Sequence, residues 1–328
     1  MLQGVRMRTL GGRYRLVNRI GLGGMSEVWR GHDRVLDRPV AVKIMHPAVE
    51  GTLGETGVAL VRAEARSAAR LAHPNVAGVH DFGTSPGADR DVPYIVMELV
   101  EGQTLSQHLA GGPIDWRIGV RICAEVAAAL AAAHAENVVH RDIKPANIML
   151  TPSGAKVLDF GIAAVVGTPE VDPDGPVMGT PAYIAPERFE GHPATPAADM
   201  FALGTLLYHC LSGRLPWSAR SHTEMVVAQR FADPDPLPHL DFLPPEVLDL
   251  CSRCLARDPA ERPTALVAAL LLAEAVDARV YVPLRELEPA ERRPSAVSPW
   301  DERAAAAPTS AVAAAPDDDA DHIGRHRA

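Results

Sequence analysis

Two lysines mark where this chain could handle phosphate. Of its 32 cationic residues only three are lysine: Lys43, Lys144 and Lys156. Lys43 closes the apolar run Val40-Ala41-Val42, and Lys144 lies within His140-Arg141-Asp142-Ile143-Lys144-Pro145-Ala146-Asn147. An ammonium is a compact point charge on a thin stem, whereas a guanidinium is a broad planar fork. A chain that has nearly abandoned lysine but keeps it here indicates two sites that the fork does not fit. Upstream of Lys43 runs Gly21-Leu22-Gly23-Gly24-Met25-Ser26-Glu27-Val28. Such a turn lets backbone N–H groups approach phosphates with no Cβ in the way. It matches G-x-G-x-x-G only in part, with Ser26 at the third glycine. No helix follows it, so it is not a dinucleotide fingerprint. Alone, the segment also reads as a plain glycine-rich hairpin. Glu64, in the middle of the next helix, is the natural ion-pair partner of Lys43, although Arg62 and Arg66 flank it as they would an ordinary surface charge.

The stretch His140 to Asn147 matches H-R-D-[LI]-K-P-x-N, and Asp159-Phe160-Gly161 follows twelve residues after Asn147. With these spacings the chain resembles the protein kinases, and in particular the eukaryotic-like bacterial serine/threonine branch, which often shows the Gly-Gly-Met-Ser-Glu-Val form found at Gly23 to Val28. The resemblance runs from about Tyr14 to Val276. It implies that Asp142 accepts the proton of a substrate hydroxyl, while Asn147 and Asp159 hold Mg²⁺, with Mn²⁺ as an alternative. It also implies that Lys43 binds the ATP phosphates, paired to Glu64, and that Lys144 acts at the γ-phosphate. Val28, Ala41 and Met149 would sandwich adenine, Met97 would be the gatekeeper, and Glu98 and Val100 would supply hinge backbone groups. Ala185-Pro186-Glu187 matches A-P-E, with Glu187 expected on Arg262. Asp199, on the helix that carries Gly204, would anchor the catalytic loop. Lys144 and Thr180 favour Ser/Thr acceptors, so protein substrates would dock near Gly179 to Tyr183. Thr168 is the one hydroxyl between Gly161 and Thr180, which makes it the activation-loop phosphosite expected to be received by Arg141. Such autophosphorylation would be served by a transient homodimer acting in trans. A second D-F-G, Asp81-Phe82-Gly83, precedes the catalytic loop and is expected to form a turn, not a metal site.

Positioning these groups requires two kinds of scaffold. From about Tyr14 to Met97 the chain reads as strands with one helix, Val61 to Leu71, stopped at His73-Pro74-Asn75. After Gly102 it turns helical, with Trp116 to Ala135, Ala197 to Ser212, Pro245 to Ala256 and Thr264 to Val276. The expected fold is α+β and bilobal: an N-terminal antiparallel sheet lobe with one helix at 14–100, and a larger, mainly helical lobe at 101–276. Residues 277–328 mix Pro, Ala and acidic residues and read as a disordered tail.

Bulk properties narrow the alternatives. A formal charge of −9 argues against nucleic-acid or anionic-membrane binding. Four cysteines do not suggest a disulfide scaffold, and Cys251-Ser252-Arg253-Cys254 lacks the second ligand pair of a zinc site. Cys254 is expected to be a small buried residue and Cys251 incidental. No apolar run is expected to approach the ~20 residues of a membrane span, Leu266 to Ala273 coming closest. The expectation is a cytoplasmic protein. Two rivals remain: a pseudokinase-type scaffold, which usually loses Lys43, Asp142 or Asp159, and a small-molecule phosphotransferase, which generally lacks A-P-E and the Asp258 to Pro263 segment.

Overall fold

Alternating side chains build the first lobe. The computed structural model describes residues 9–23, 26–45, 55–86, 91–160 and 181–283, all within a first compact unit, Met1–Glu286. Strands β1 (Thr9–Leu10), β2 (Tyr14–Leu22), β3 (Ser26–Asp33), β4 (Arg38–Met45), β5 (Val79–Pro86) and β6 (Asp91–Met97) form an antiparallel sheet in the order β1-β2-β3-β4-β6-β5. Along β4 the period of two divides the residues between faces. Val40, Val42 and Ile44 pack with Leu10, Tyr14 and Tyr94 on one side. Ala41 and Met45 face helix α1 (Glu55–Ala68) through Val61 and Ala65. Lys43 shares the register parity of Ala41 and Met45, so its stem leaves the sheet on the α1 side.

Asp81-Phe82-Gly83 lies inside β5, not in a turn. Asp81 accepts from the Tyr14 hydroxyl and from Arg13. The expected turn is instead a register shift between Val79 and Asp81, and the carboxylate braces β2.

The second lobe is built on helices α2 (Leu105–Leu109), α3 (Trp116–Ala135), α4 (Pro196–Ser212), α5 (His222–Phe231), α6 (Pro245–Cys254) and α7 (Ala265–Ala275), with a small sheet of β7 (Gln103–Thr104), β8 (Ile148–Thr151) and β9 (Gly154–Val157). Helix α1 begins earlier than its apolar pattern suggested, and α2 and α5 were not expected at all. Helix α3 is long and apolar enough to cross a membrane, with 72% of its apolar window buried inside the domain. That corrects the expectation that no such run exists. Its alanines let the neighbouring helices approach closely, and it forms the axis of the main core. Gly204 on α4 serves the same end, since a Cβ there would stand 2.6 Å from Cys254 Cβ on α6.

All four cysteines are free and buried. Burial pushes the thiols of Cys251 and Cys254 upward, so both stay protonated. Cys251 is therefore not incidental: it packs in the core, and its thiol lies 3.7 Å from the Gly204 carbonyl.

The helical core does not stop at α7. Val280 and Val282 pack against it, and His73 Nε2 donates to the Tyr281 carbonyl at 2.9 Å. Residues 277–283 thus run along the domain rather than opening the tail. Residues 284–328 lie outside the described residues.

Candidate active site

The catalytic-loop residues are set by a buried carboxylate beneath them. Asp199, at the start of α4, accepts from His140 N and Arg141 N at 2.8 Å each and is bonded to His134 Nε2 at 2.8 Å. Its side chain is 1% exposed. His140 Nε2 then donates to the Leu158 carbonyl at 2.7 Å, and its ring meets Phe160 edge-on. In this way α4 holds the catalytic loop, and the loop holds the chain at Asp159.

Above this anchor the sequence-singled residues converge. Lys144 Nζ lies 2.8 Å from the Asp142 carboxylate. Asn147 Nδ2 donates to Asp142 Oδ2 at 2.8 Å and to the Asp142 carbonyl at 2.7 Å. With its amide donor engaged there, Asn147 keeps Oδ1 as a hard oxygen ligand. Asp159 adds a carboxylate whose side chain is 26% exposed. Two oxygen donors, leaving room for water and phosphate oxygens, suit an octahedral Mg²⁺. These residues fit the ion.

One expected contact is not made. Lys43 Nζ pairs with Asp159 Oδ2 at 3.0 Å, and Glu64 Oε1 pairs with Arg141 Nη1 at 3.1 Å. The Lys43–Glu64 pair is therefore absent from this structure. The reason lies in competition. Asp159 adopts a left-handed φ of 59°, which brings its carboxylate to the lysine, while the Arg141 fork reaches Glu64. Burial pushes the Glu64 carboxyl up to about 7, against the pull of Arg141, and its Oε2 is buried without a partner. Arg141, expected to await a phosphate, is thus already engaged by a carboxylate.

Three of the residues expected around adenine are neighbours on the sheet. Ala41 lies opposite Met97 in the β4–β6 register, and Val28 packs with both. Glu98 N donates to the Gly78 carbonyl at 2.8 Å, and the Glu98 side chain accepts from Gly78 N at 3.3 Å. Gly21, Leu22, Gly23, Ser26 and Val28 lie on the β2–β3 hairpin, where Gly23 N donates to Ser26 O at 2.8 Å. Gly24, Met25, Gly161, Thr168, Gly179 and Thr180 lie outside the described residues. In the helical lobe Glu187 receives both nitrogens of the Arg262 fork at 2.7 and 2.9 Å, as A-P-E suggested.

Sequence reasoning missed three participants. Lys156, unexplained by its position on β9, pairs with the hinge side chain Glu98 at 2.8 Å. Gln229 on α5 donates to the carbonyls of Pro181 and Ala182 at 3.3 and 2.9 Å. The Tyr183 hydroxyl lies 2.7 Å from His209 Nδ1. Of these, Lys156 stands out in the sequence as one of three lysines and Tyr183 falls in the expected docking segment, whereas Gln229 lies on α5, a helix that no sequence pattern marked.

A family model described as protein kinase domain matches residues 14–273. The serine/threonine-protein kinase PknA of Mycobacterium tuberculosis is 41% identical over 257 residues, covering 77% of this chain and 59% of that protein. PknL of the same organism is 37% identical over 256 residues, covering 77% of this chain and 63% of that protein. For PrkC of Bacillus subtilis the identity is 36% over 258 residues, covering 78% of this chain and 39% of that protein. The chain therefore spans less than two thirds of the length of each of these relatives.

Proposed function

Because the chain belongs to the protein kinase domain family, we propose that it transfers the γ-phosphoryl group of ATP to Ser or Thr hydroxyls of proteins. The observation that carries this reading is the Asp142 carboxylate, held at 2.8 Å by both Lys144 Nζ and Asn147 Nδ2, beside the Lys43–Asp159 pair. Asp142 is fixed to accept the proton of an acceptor hydroxyl, and the nearby Lys144 ammonium meets the charge that develops on the γ-phosphate. Lys43 and the backbone of the Gly21–Val28 hairpin bind the remaining phosphates. Asn147 and Asp159 would hold Mg²⁺, with Mn²⁺ as an alternative, which supplies charge neutralisation to the phosphate oxygens. Val28, Ala41, Met97 and Met149 enclose adenine, and the Glu98 carbonyl and Val100 bind its polar edge.

Phosphorylation of Thr168, in trans within a transient homodimer, is the activating step of this reading. A phosphate would compete with Glu64 for Arg141 and free Glu64 for Lys43. Acidic Glu170, Asp172 and Asp174 partly replace that phosphate and support basal activity. We place the protein in the cytoplasm, in a signalling role with protein substrates.

Incubation with labelled ATP and Mg²⁺, wild type beside Asp142→Asn, tests the chemistry. Labelled wild type and unlabelled variant are expected. Equal labelling of the two refutes the mechanism and favours a kinase-shaped scaffold. Mass spectrometry of the ATP-treated wild type tests Thr168, and a fully active enzyme with unmodified Thr168 removes that step.

A further inference from the structure

We propose that Arg30 and Glu101 form a latch that holds the sheet lobe against the helical lobe at the edge of the nucleotide cleft; this rests on the reading above, in which ATP lies beneath Val28 and Ala41 and against the hinge. Arg30 Nη2 donates to Glu101 Oε1 at 2.8 Å. The two residues are moored in different lobes. Arg30 stands opposite Ala41 in the β3–β4 register and two residues after Val28, so its side chain leaves the sheet on the same face as both. Glu101 follows the hinge residue Val100 and precedes Gly102, where a Cβ would overlap the Leu150 carbonyl of β8. Beyond Gly102, Gln103 and Thr104 pair with β8, and the Thr104 side chain caps α2. The chain at Glu101 is therefore fixed to the helical lobe, and the arginine to the sheet.

Three other ion pairs among the described residues also join the lobes: Lys43–Asp159, Arg141–Glu64 and Lys156–Glu98. Their side chains are at most 34% exposed, against 45% for Arg30 and 71% for Glu101. A pair so open to water adds little to the stability of the fold, because solvent screens it and two long side chains must be ordered to form it. Its leverage is on a motion that is close to balanced. Opening the cleft carries β3 away from Glu101, so the bond belongs to the closed arrangement alone. A bias of that kind raises the closed population, and the apparent affinity for a nucleotide that needs the closed cleft rises by the same factor.

The experiment measures Mg·ADP binding to the full chain by calorimetry, for wild type, Arg30→Met, Glu101→Gln and the double variant, at low and high salt. At low salt the Kd is expected to rise about threefold in each single variant, within the range of an exposed ion pair. The double variant should bind no more weakly than either single one, since both changes remove the same bond. In about 1 M NaCl, where the screening length falls to about 3 Å, the gap between wild type and the variants should close. Single variants that bind as wild type does overturn the latch. So do losses that add in the double variant, or a gap that high salt leaves intact, because each would mean that the two side chains act separately. If wild type takes up no Mg·ADP, the ATP reading itself fails and the latch falls with it. Nucleotide bound equally well by all four proteins removes the latch alone.

Discussion

Three acidic groups and three basic ones share the centre of this site, and their pairing decides what each can do. Lys43 is 8% exposed and wedged between Asp159 and the α1 side of the sheet. A guanidinium needs more width and a planar approach than this slot offers. Lys43→Arg is therefore expected to lower phosphoryl transfer by about 100-fold or more, the scale seen when one charge-stabilising donor is misplaced. Full activity in that variant would remove the argument from lysine retention. Glu64 yields a pH prediction. Its folded-state value is raised from 4.5 to about 7 by burial, so the folded protein binds this proton more tightly than the unfolded chain does. The stability this contributes is complete below about 4.5 and is lost as pH rises through about 7. Urea titrations from pH 4.5 to 8 should show wild type losing stability relative to Glu64→Gln across that window and running parallel above it. A constant offset between the two proteins would show that Glu64 does not titrate there.

Elements, not single residues, bring these groups into reach, and they do so through a few buried polar contacts. Asp199 satisfies two backbone donors of the catalytic loop together with His134. Asp199→Ala leaves those buried donors without partners, at about 1–3 kcal/mol each, and should lower both the urea midpoint and activity. Asp199→Asn, which keeps one acceptor, should do less of each. The hinge is braced differently. On β9, Ala155 N donates to the buried Glu125 carboxylate of α3 at 2.6 Å. A Cβ at Gly154, where φ is +122°, would lie 2.8 Å from that carboxylate, so only glycine lets strand and helix meet this closely. The strand so fixed carries Lys156 to Glu98. A partly exposed pair of this kind is worth up to about 1 kcal/mol. Lys156→Met should thus raise the KM for ATP about two- to fivefold, while Lys156→Arg keeps the pair and should be tolerated.

At the scale of the whole molecule, what was legible in the sequence follows from what is local. Motif residues at short spacing, from His140 to Asn147 and then Asp159, are brought together much as their spacing implied, because one loop and one hairpin carry them. Long-range partners were legible only where a family pattern supplied them, as for Glu187 with Arg262. Where two cations compete for one carboxylate, as Lys43 and Arg141 do for Glu64, no spacing decides the winner. The end of the domain was misread for a related reason. Val280, Tyr281 and Val282 look sparse in sequence, yet a seven-residue segment needs no periodicity to lie along a preformed surface. His73 ties that segment to the loop after α1. Its Nδ1 accepts from Asn75 N at 3.1 Å while Nε2 donates to the Tyr281 carbonyl, and burial lowers the ring's pKa so that it stays in this neutral tautomer. Asn75 in turn binds β9 through its Nδ2 to the Ala155 carbonyl at 2.7 Å. One short segment thus closes a circuit that joins α7, the loop behind α1 and the strand leading to Asp159. Ending the chain after Pro283 should leave the melting temperature within about 1 °C of the full chain, whereas ending it after Val276 should lower it by about 3 °C or more, as losing roughly 1 kcal/mol of apolar burial requires in a domain of this size. Equal melting temperatures for the two truncations would show that residues 277–283 lie on the domain without holding it.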